Sequence, residues 1–175
     1  MAKDYSNDEL AAWFKSKASD TSGQAARNRI FAANDRSWDS AFVGKLYVFK
    51  YDAKTKDKLD MWDKYPLCLV LQRSKNGFLG LNLHYLPRSS RSTLLRSYDK
   101  YVDKDELDKG VTTGKGYSNW EILADAFDDN GLGSLPRKSL KRYLNPYVRS
   151  KFVEIYPEEF DRAIQLPIDL WVYKR

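Results

Sequence analysis

The chain has 175 residues, 42% of them apolar and 14% aromatic, with a formal net charge of +6 and a pI near 9.2. That is enough for one domain with a real core, too apolar for a disordered chain, and basic enough to suit a polyanionic partner. No apolar run approaches the ~20 residues that span a bilayer, and MAKDYSNDEL has no signal-peptide core, so the reading is a chain made in the cytoplasm with no membrane partner. The single cysteine, Cys68, excludes a disulfide framework.

In chain order, Ser6 and Glu9 form a capping box that predicts a helix from Asn7 to about Ala18, with Leu10, Trp13 and Phe14 at helical spacing. A second helix is expected over Gln24 to Asn34, anchored by Ile30 and Phe31. Polar residues from Asn34 to Ser40 then break the pattern, so residues 1–40 read as a helical N-terminal arm and 41–175 as a single α+β core domain. Gly44 to Tyr51 reads as a strand with Tyr47, Phe49 and Tyr51 on one face. DAKTKDKLDMWD follows as a charged, solvated loop held back by Leu59, Met61 and Trp62.

Lys64 to Pro87, KYPLCLVLQRSKNGFLGLNLHYLP, is the stretch that organises the chain. Leu67 to Leu71 is apolar on both alternating faces and must be covered on both. Asn76-Gly77 predicts a type I′ turn, and Phe78 to Leu83 returns as a second strand in which Gly80 leaves room for a neighbouring chain. Pro87 stops it. Ser89 to Ser97 reads as a helix with Leu94 and Leu95 inward and Arg88, Arg91 and Arg96 near its surface. Asp99 to Lys109 is solvated, and Ser118 with Glu121 caps a helix carrying Trp120, Ile122, Leu123 and Phe127, ended by Asp128 to Gly133. Leu135, Leu140, Tyr143 and Leu144 are read as a short amphipathic helix ended by Pro146, Ser150 to Ile155 as a strand, and Pro157 onward as a helix with Phe160 and Ile164 inward. The whole predicts a small twisted antiparallel sheet, or a partly open SH3-like small barrel, with peripheral helices.

Laid out in this way, the chain resembles the DNA end protector proteins of tailed bacteriophages, a kind of head-completion protein. The resemblance lies in LYVFKYDAKTKDKL, WDKYPLCLVL, NGFLGLNLHYLP with Arg91 and Leu94 after it, and VRSKFVEIYPEEFDRAIQLP. It covers most of residues 44–98 and 140–167. It implies a non-enzymatic virion protein, made in the host cytoplasm, that binds the ends of a linear double-stranded genome after packaging, completes the head or neck and shields the termini from exonuclease. The alternative is a structural adaptor of the neck, tail or baseplate that touches other virion proteins and no DNA. Neither role needs a cofactor.

Candidate site residues come from charge and residue chemistry, not from the resemblance. From Asn130 to Val153 no acid occurs, while Arg137, Lys138, Lys141, Arg142, Arg149 and Lys151 supply six positive charges. Such a stripe neutralises phosphates and releases counterions, giving salt-sensitive binding without sequence preference, or docks on an acidic protein surface. Arg88, Arg91 and Arg96 extend it if the two helices lie side by side. Tyr143 and Tyr147 either stack on frayed bases or simply pack. The polar group Asn82, His84 and Tyr85 at the strand end is read as a structural hydrogen-bonding closure, since one histidine without further ligands does not build a zinc site. Asp52 and Lys54, with Asp35 or Asp39, spell a weak metal-nuclease pattern whose bland reading is a solvated turn.

Overall fold

The computed structural model describes Ala12 and residues 30–32, 34–101, 119–165, 168 and 170–174. The hairpin is its centre. Strand β4 (Leu67–Ser74) runs antiparallel to β5 (Gly77–Asn82), pairing Cys68 with Asn82, Val70 with Gly80 and Ser74 with Gly77, with a bulge between Val70 and Gln72. The reversal corrects the expected turn. Its two loop residues are Lys75 and Asn76, and among the described residues no non-glycine has a positive φ and Gly77 is not among the positive-φ glycines, so the turn is not type I′. Gly77 serves proximity instead: a Cβ there would lie 1.9 Å from the Tyr143 carbonyl oxygen. Gly80 does make room, since its Cβ would meet the Cys68 sulfur at 2.2 Å.

Around the hairpin stand β1 (Ser37–Trp38), β2 (Leu46–Val48), β6 (Leu140–Leu144) and β7 (Phe152–Ile155), in the sheet order β1-β7-β2-β4-β5-β6, antiparallel throughout. The sheet does not close, although an isolated Tyr51–Val148 bridge draws the end of β2 towards the turn after β6. Its two faces divide by chemistry. One is aliphatic, with Leu46, Val48, Leu67, Leu69, Leu81, Val153 and Ile155 packed against leucines of the helices. The other is aromatic, with Tyr47, Phe49, Tyr51, Phe78, Tyr143 and Phe152 around Cys68 and Val70. Phe49 sits at the centre, its ring centroid 5.1 Å from both Tyr143 and Phe152 and 5.8 Å from Phe78, mostly edge to face. The double coverage of β4 follows from its uninterrupted apolar run.

Three further segments depart from the expectation. Residues 140–144 form a strand on the outer side of β5, not a helix, with Leu81 opposite Leu140 and Phe78 opposite Tyr143. The polar break at 34–40 holds a 3-10 turn and the edge strand β1. Within the supposed loop, β3 (Met61–Asp63) pairs with β8 (Trp171–Tyr173) as a separate two-stranded sheet. Arg36, just before β1, is fully buried and sets Nη1 2.8 Å from both carboxylate oxygens of Glu159, with its guanidinium over Tyr156. Burial pushes the Glu159 carboxyl up, and the Arg36 hydrogen bonds pull it partly back.

Helix α1 (Arg88–Tyr101) and α2 (Asn119–Asp129) cover the aliphatic face with Leu94, Leu95, Leu123 and Phe127. Gly131, at φ +68°, ends α2 in a left-handed turn that lets the Leu132 N–H bond the Phe127 carbonyl. After Pro157 a 3-10 turn leads into α3 (Phe160–Ala163), with Ile164 buried behind it. Ile30 is buried in the same core and Phe31 stacks on Tyr65. The expected helix over residues 7–18, Ala12 apart, the stretch from 102 to 109 and the Ser118 cap lie outside the described residues.

Candidate nucleic-acid interface

Asp63, at the end of β3, anchors the polar closure. Its Oδ1 accepts from the Tyr65 N–H at 3.0 Å, and its Oδ2 accepts from Asn82 Nδ2 at 3.0 Å and lies 2.6 Å from His84 Nδ1. The carboxylate assigns the ring proton to Nδ1, so the histidine donates. Asn82 in turn accepts from the His84 N–H, capping the 3-10 turn Leu83–Tyr85. All three groups are buried. Spacing along the chain conceals this arrangement, because Asp63 lies in the segment read as solvated loop.

Arg91 belongs to the same closure, not to the surface. The sequence places it near the outside of its helix, but it is 7% exposed. Its Nε donates to the Leu86 carbonyl at 2.8 Å, and its terminal nitrogens donate to the Ile164 and His84 carbonyls, both at 3.3 Å. A planar fork suits several acceptors at once, and here it ties α1 to the end of β5 and to α3. Arg96 is exposed and meets Asp161 at 2.6 Å, while Ser92 also donates to that carboxylate. These bonds hold Asp161 below the ordinary aspartate range. A depressed value contributes stability above the unfolded pKa and loses it as pH falls through the folded one. NMR titration of Arg96→Ala should show the Asp161 midpoint rise towards that of a free aspartate, and an unchanged midpoint would count against the pair.

The remaining basic residues do not form one helical stripe. Arg88 is exposed at the start of α1, and Arg137 and Lys138 are exposed on a 3-10 turn before β6. Alternation along β6 sends Lys141 to the aromatic face and Arg142 to the other. Arg149 bonds the Pro146 carbonyl and lies 3.8 Å from Asp52, and Lys151 lies 3.7 Å from Asp39. Tyr143 packs in the aromatic cluster and Tyr147 packs partly against it. Asp52 is held by Lys56 at 3.0 Å as well as by Arg149. Among the described residues no three of His, Cys, Asp and Glu converge on a common point.

What the fold does assemble is a pair of cavities on either side of Trp62 and Tyr51, which line both. The first, about 230 Å³, has Lys54, Lys141 and Arg142 in its wall, with Asp63, Asn82 and Tyr143 also lining it. The second, about 350 Å³, is bordered by Lys50, Lys64 and Arg149, with Asp52 the acid among them. Among the described residues, six basic residues thus line the two cavities with two acids, and one of those, Asp63, is consumed by His84 and Asn82. Lys50, Lys54, Lys64 and Trp62 were not legible as site residues. They come together because the Tyr51 N–H bonds the Lys64 carbonyl and the Lys64 N–H bonds the Leu170 carbonyl.

Lys141 is half-buried, its Nζ 4.1 Å from the centroid of the Tyr85 ring, and burial alone lowers its pKa. The Tyr85 ring is held edge-on by Trp171 at 4.8 Å, and burial, with Asp63 nearby, pushes its phenol up to about 12. The phenol therefore stays protonated at neutral pH.

The fold and these cavities define a small basic α+β domain whose cleft combines aromatic rings with cations, the chemistry that meets phosphates and bases together. The family model described as the phage T4 terminal DNA protecting protein matches residues 32–175, and the chain belongs to that family. Neither the curated proteins nor the solved structures provide a match. Among the described residues no helix is long and apolar enough to cross a membrane.

Proposed function

We propose that this is a non-enzymatic phage virion protein that binds the ends of the linear double-stranded genome after packaging and shields them from exonuclease as it completes the head or neck. The observation that carries the reading is the cleft at Trp62, where Lys50, Lys64 and Arg149 stand on one side and Lys54, Lys141 and Arg142 on the other. Membership of a family named for terminal DNA protection supplies the nucleic acid. Arg88, Arg137, Lys138 and Lys151 lie exposed and extend the positive field, while Arg96 meets DNA only by leaving Asp161. Arg91 contributes by fixing the closure under the cleft, its guanidinium being spent on carbonyls.

The test is the salt dependence of binding to linear duplex. For every phosphate that a variant no longer neutralises, the plot of log K against log salt flattens by about 0.9. The variant Lys50→Gln, Lys64→Gln, Arg142→Gln, Arg149→Gln should therefore bind with a slope about 3–4 units shallower and fail to slow exonuclease digestion of linear DNA. If the unaltered protein has no salt-dependent affinity for linear duplex, the DNA reading fails. The second reading is an adaptor of the neck, tail or baseplate seated against other virion proteins. A virion map with the basic cleft buried against protein would establish it.

A further inference from the structure

The proposed function requires the protein to tell an end from the interior of a duplex, and a basic surface alone does not do so, because every phosphate offers the same charge. We propose that the 230 Å³ cavity beside Trp62 seats a single unpaired nucleotide from the DNA terminus, with its base against the Trp62 ring and its phosphate on Lys141. This inference rests on the DNA-binding reading and narrows it to one site.

Three observations carry it. The first is size. At about 230 Å³ the cavity falls below the ~300 Å³ at which pockets for drug-sized ligands begin, so it admits one planar heterocycle and excludes a stacked base pair. The second is the arrangement of its lining. Trp62 offers an aromatic face, and the buried Tyr143 and Asn82 behind it hydrogen-bond to each other, so the wall against which a base removed from its stack would lie has a fixed shape. The polar part is rigid. Asn82 is fixed by Asp63 and by the His84 N–H, so its geometry does not depend on a ligand.

The third observation is Lys141. Its ammonium is half-buried with Nζ 4.1 Å from the centre of the Tyr85 ring, and among the described residues it makes no ion pair, the Asp63 carboxylate in the same wall being taken up by His84 and Asn82. A phosphate at the cavity mouth supplies that missing counter-charge. An interior nucleotide reaches the cavity only by breaking its pair and both stacks, whereas a terminal nucleotide frays with one stack to lose. End preference then follows from the cavity, and affinity from the surrounding cations.

Two probes test this with the full chain. One is a linear duplex carrying the fluorescent base 2-aminopurine at its terminus or in its middle, and the other is the same duplex closed into a relaxed, covalently sealed circle, which has neither ends nor unpaired loops. Stacking a base on an aromatic ring is worth about tenfold in affinity. The protein should therefore prefer the open duplex over the closed one by about tenfold, and should change the emission of the terminal probe but not of the central one. Trp62→Leu should remove the preference and the emission change while keeping salt-dependent affinity for the closed duplex. Lys141→Gln, which leaves the ring stack intact, should weaken the preference and shows that the effect is not a folding defect of the tryptophan variant. Equal binding of open and closed duplexes, with a silent terminal probe and salt dependence preserved, overturns the nucleotide site and leaves the DNA reading standing. Absence of binding to either duplex overturns both.

Discussion

Gly77→Ala is expected to destabilise the protein by about 3–4 kcal/mol, an effect of the size reserved for overpacking that the backbone must absorb. The added methyl would lie 1.9 Å from the Tyr143 carbonyl oxygen and 2.9 Å from its carbon. Neither atom belongs to a side chain that can swing away, so β6 must move by about an ångström or more or detach from β5. That strand carries Lys141 and Arg142 and holds Tyr143 in the aromatic cluster, so the cleft loosens with it. The control is Gly131→Ala. There φ is +68° and a Cβ meets nothing within 4 Å, so the cost is backbone strain alone, about 1–2 kcal/mol. Urea unfolding of both variants separates the two, and hydrogen exchange should show early opening of the β5–β6 amides only in Gly77→Ala. Equal midpoints for the two glycines would refute the contact.

The same residue shows where sequence reasoning holds and where it stops. Asn76-Gly77 located the reversal to within one residue, because few dipeptides tolerate a tight turn. It misassigned the reason, since a glycine that is small for a neighbour and a glycine that takes a positive φ read alike. Leu67 to Leu71 was legible as a doubly covered strand because its apolar run has no polar interruption. Leu140, Tyr143 and Leu144 were not, since an i, i+3, i+4 set also fits a strand whose two faces are both half-covered: Leu140 and Leu144 lie on one side, Tyr143 on the other. Trp171-Val172-Tyr173 carried a β signal in its aromatic and branched residues, and pairing with Met61–Asp63 could not be inferred over more than a hundred residues. The candidate site suffered most. Charge density pointed to residues 137–151, but the cleft is completed by Lys50, Lys54, Lys64 and Trp62, which only the β3–β8 pairing and the bonds of Lys64 bring alongside.

Asp63→Ala should cost about 3–5 kcal/mol, the range seen when one member of a buried, hydrogen-bonded polar pair is removed and its partners stay behind. The Tyr65 N–H, the Asn82 amide and the His84 ring would each lose an acceptor in a site that water does not reach freely. The disturbance passes into the cleft, because Asn82 and Tyr85 line it and are positioned through His84. A second readout separates this from general loosening. Asp63 is one of the two causes that push the Tyr85 phenol up to about 12, the larger being burial. NMR titration of the assigned Tyr85 ring carbon in Asp63→Ala should therefore show its midpoint fall while staying above that of a free tyrosine, the burial contribution being retained. In a double-mutant cycle, Asp63→Ala with His84→Leu should be less destabilised than the sum of the two single variants, since a partnerless imidazole no longer remains in the core. Strict additivity, with an unmoved tyrosine midpoint, would show that the carboxylate holds neither group. If both responses appear, the polar group at the end of the hairpin acts as the rigid floor of the cavity that Trp62 and Lys141 also line.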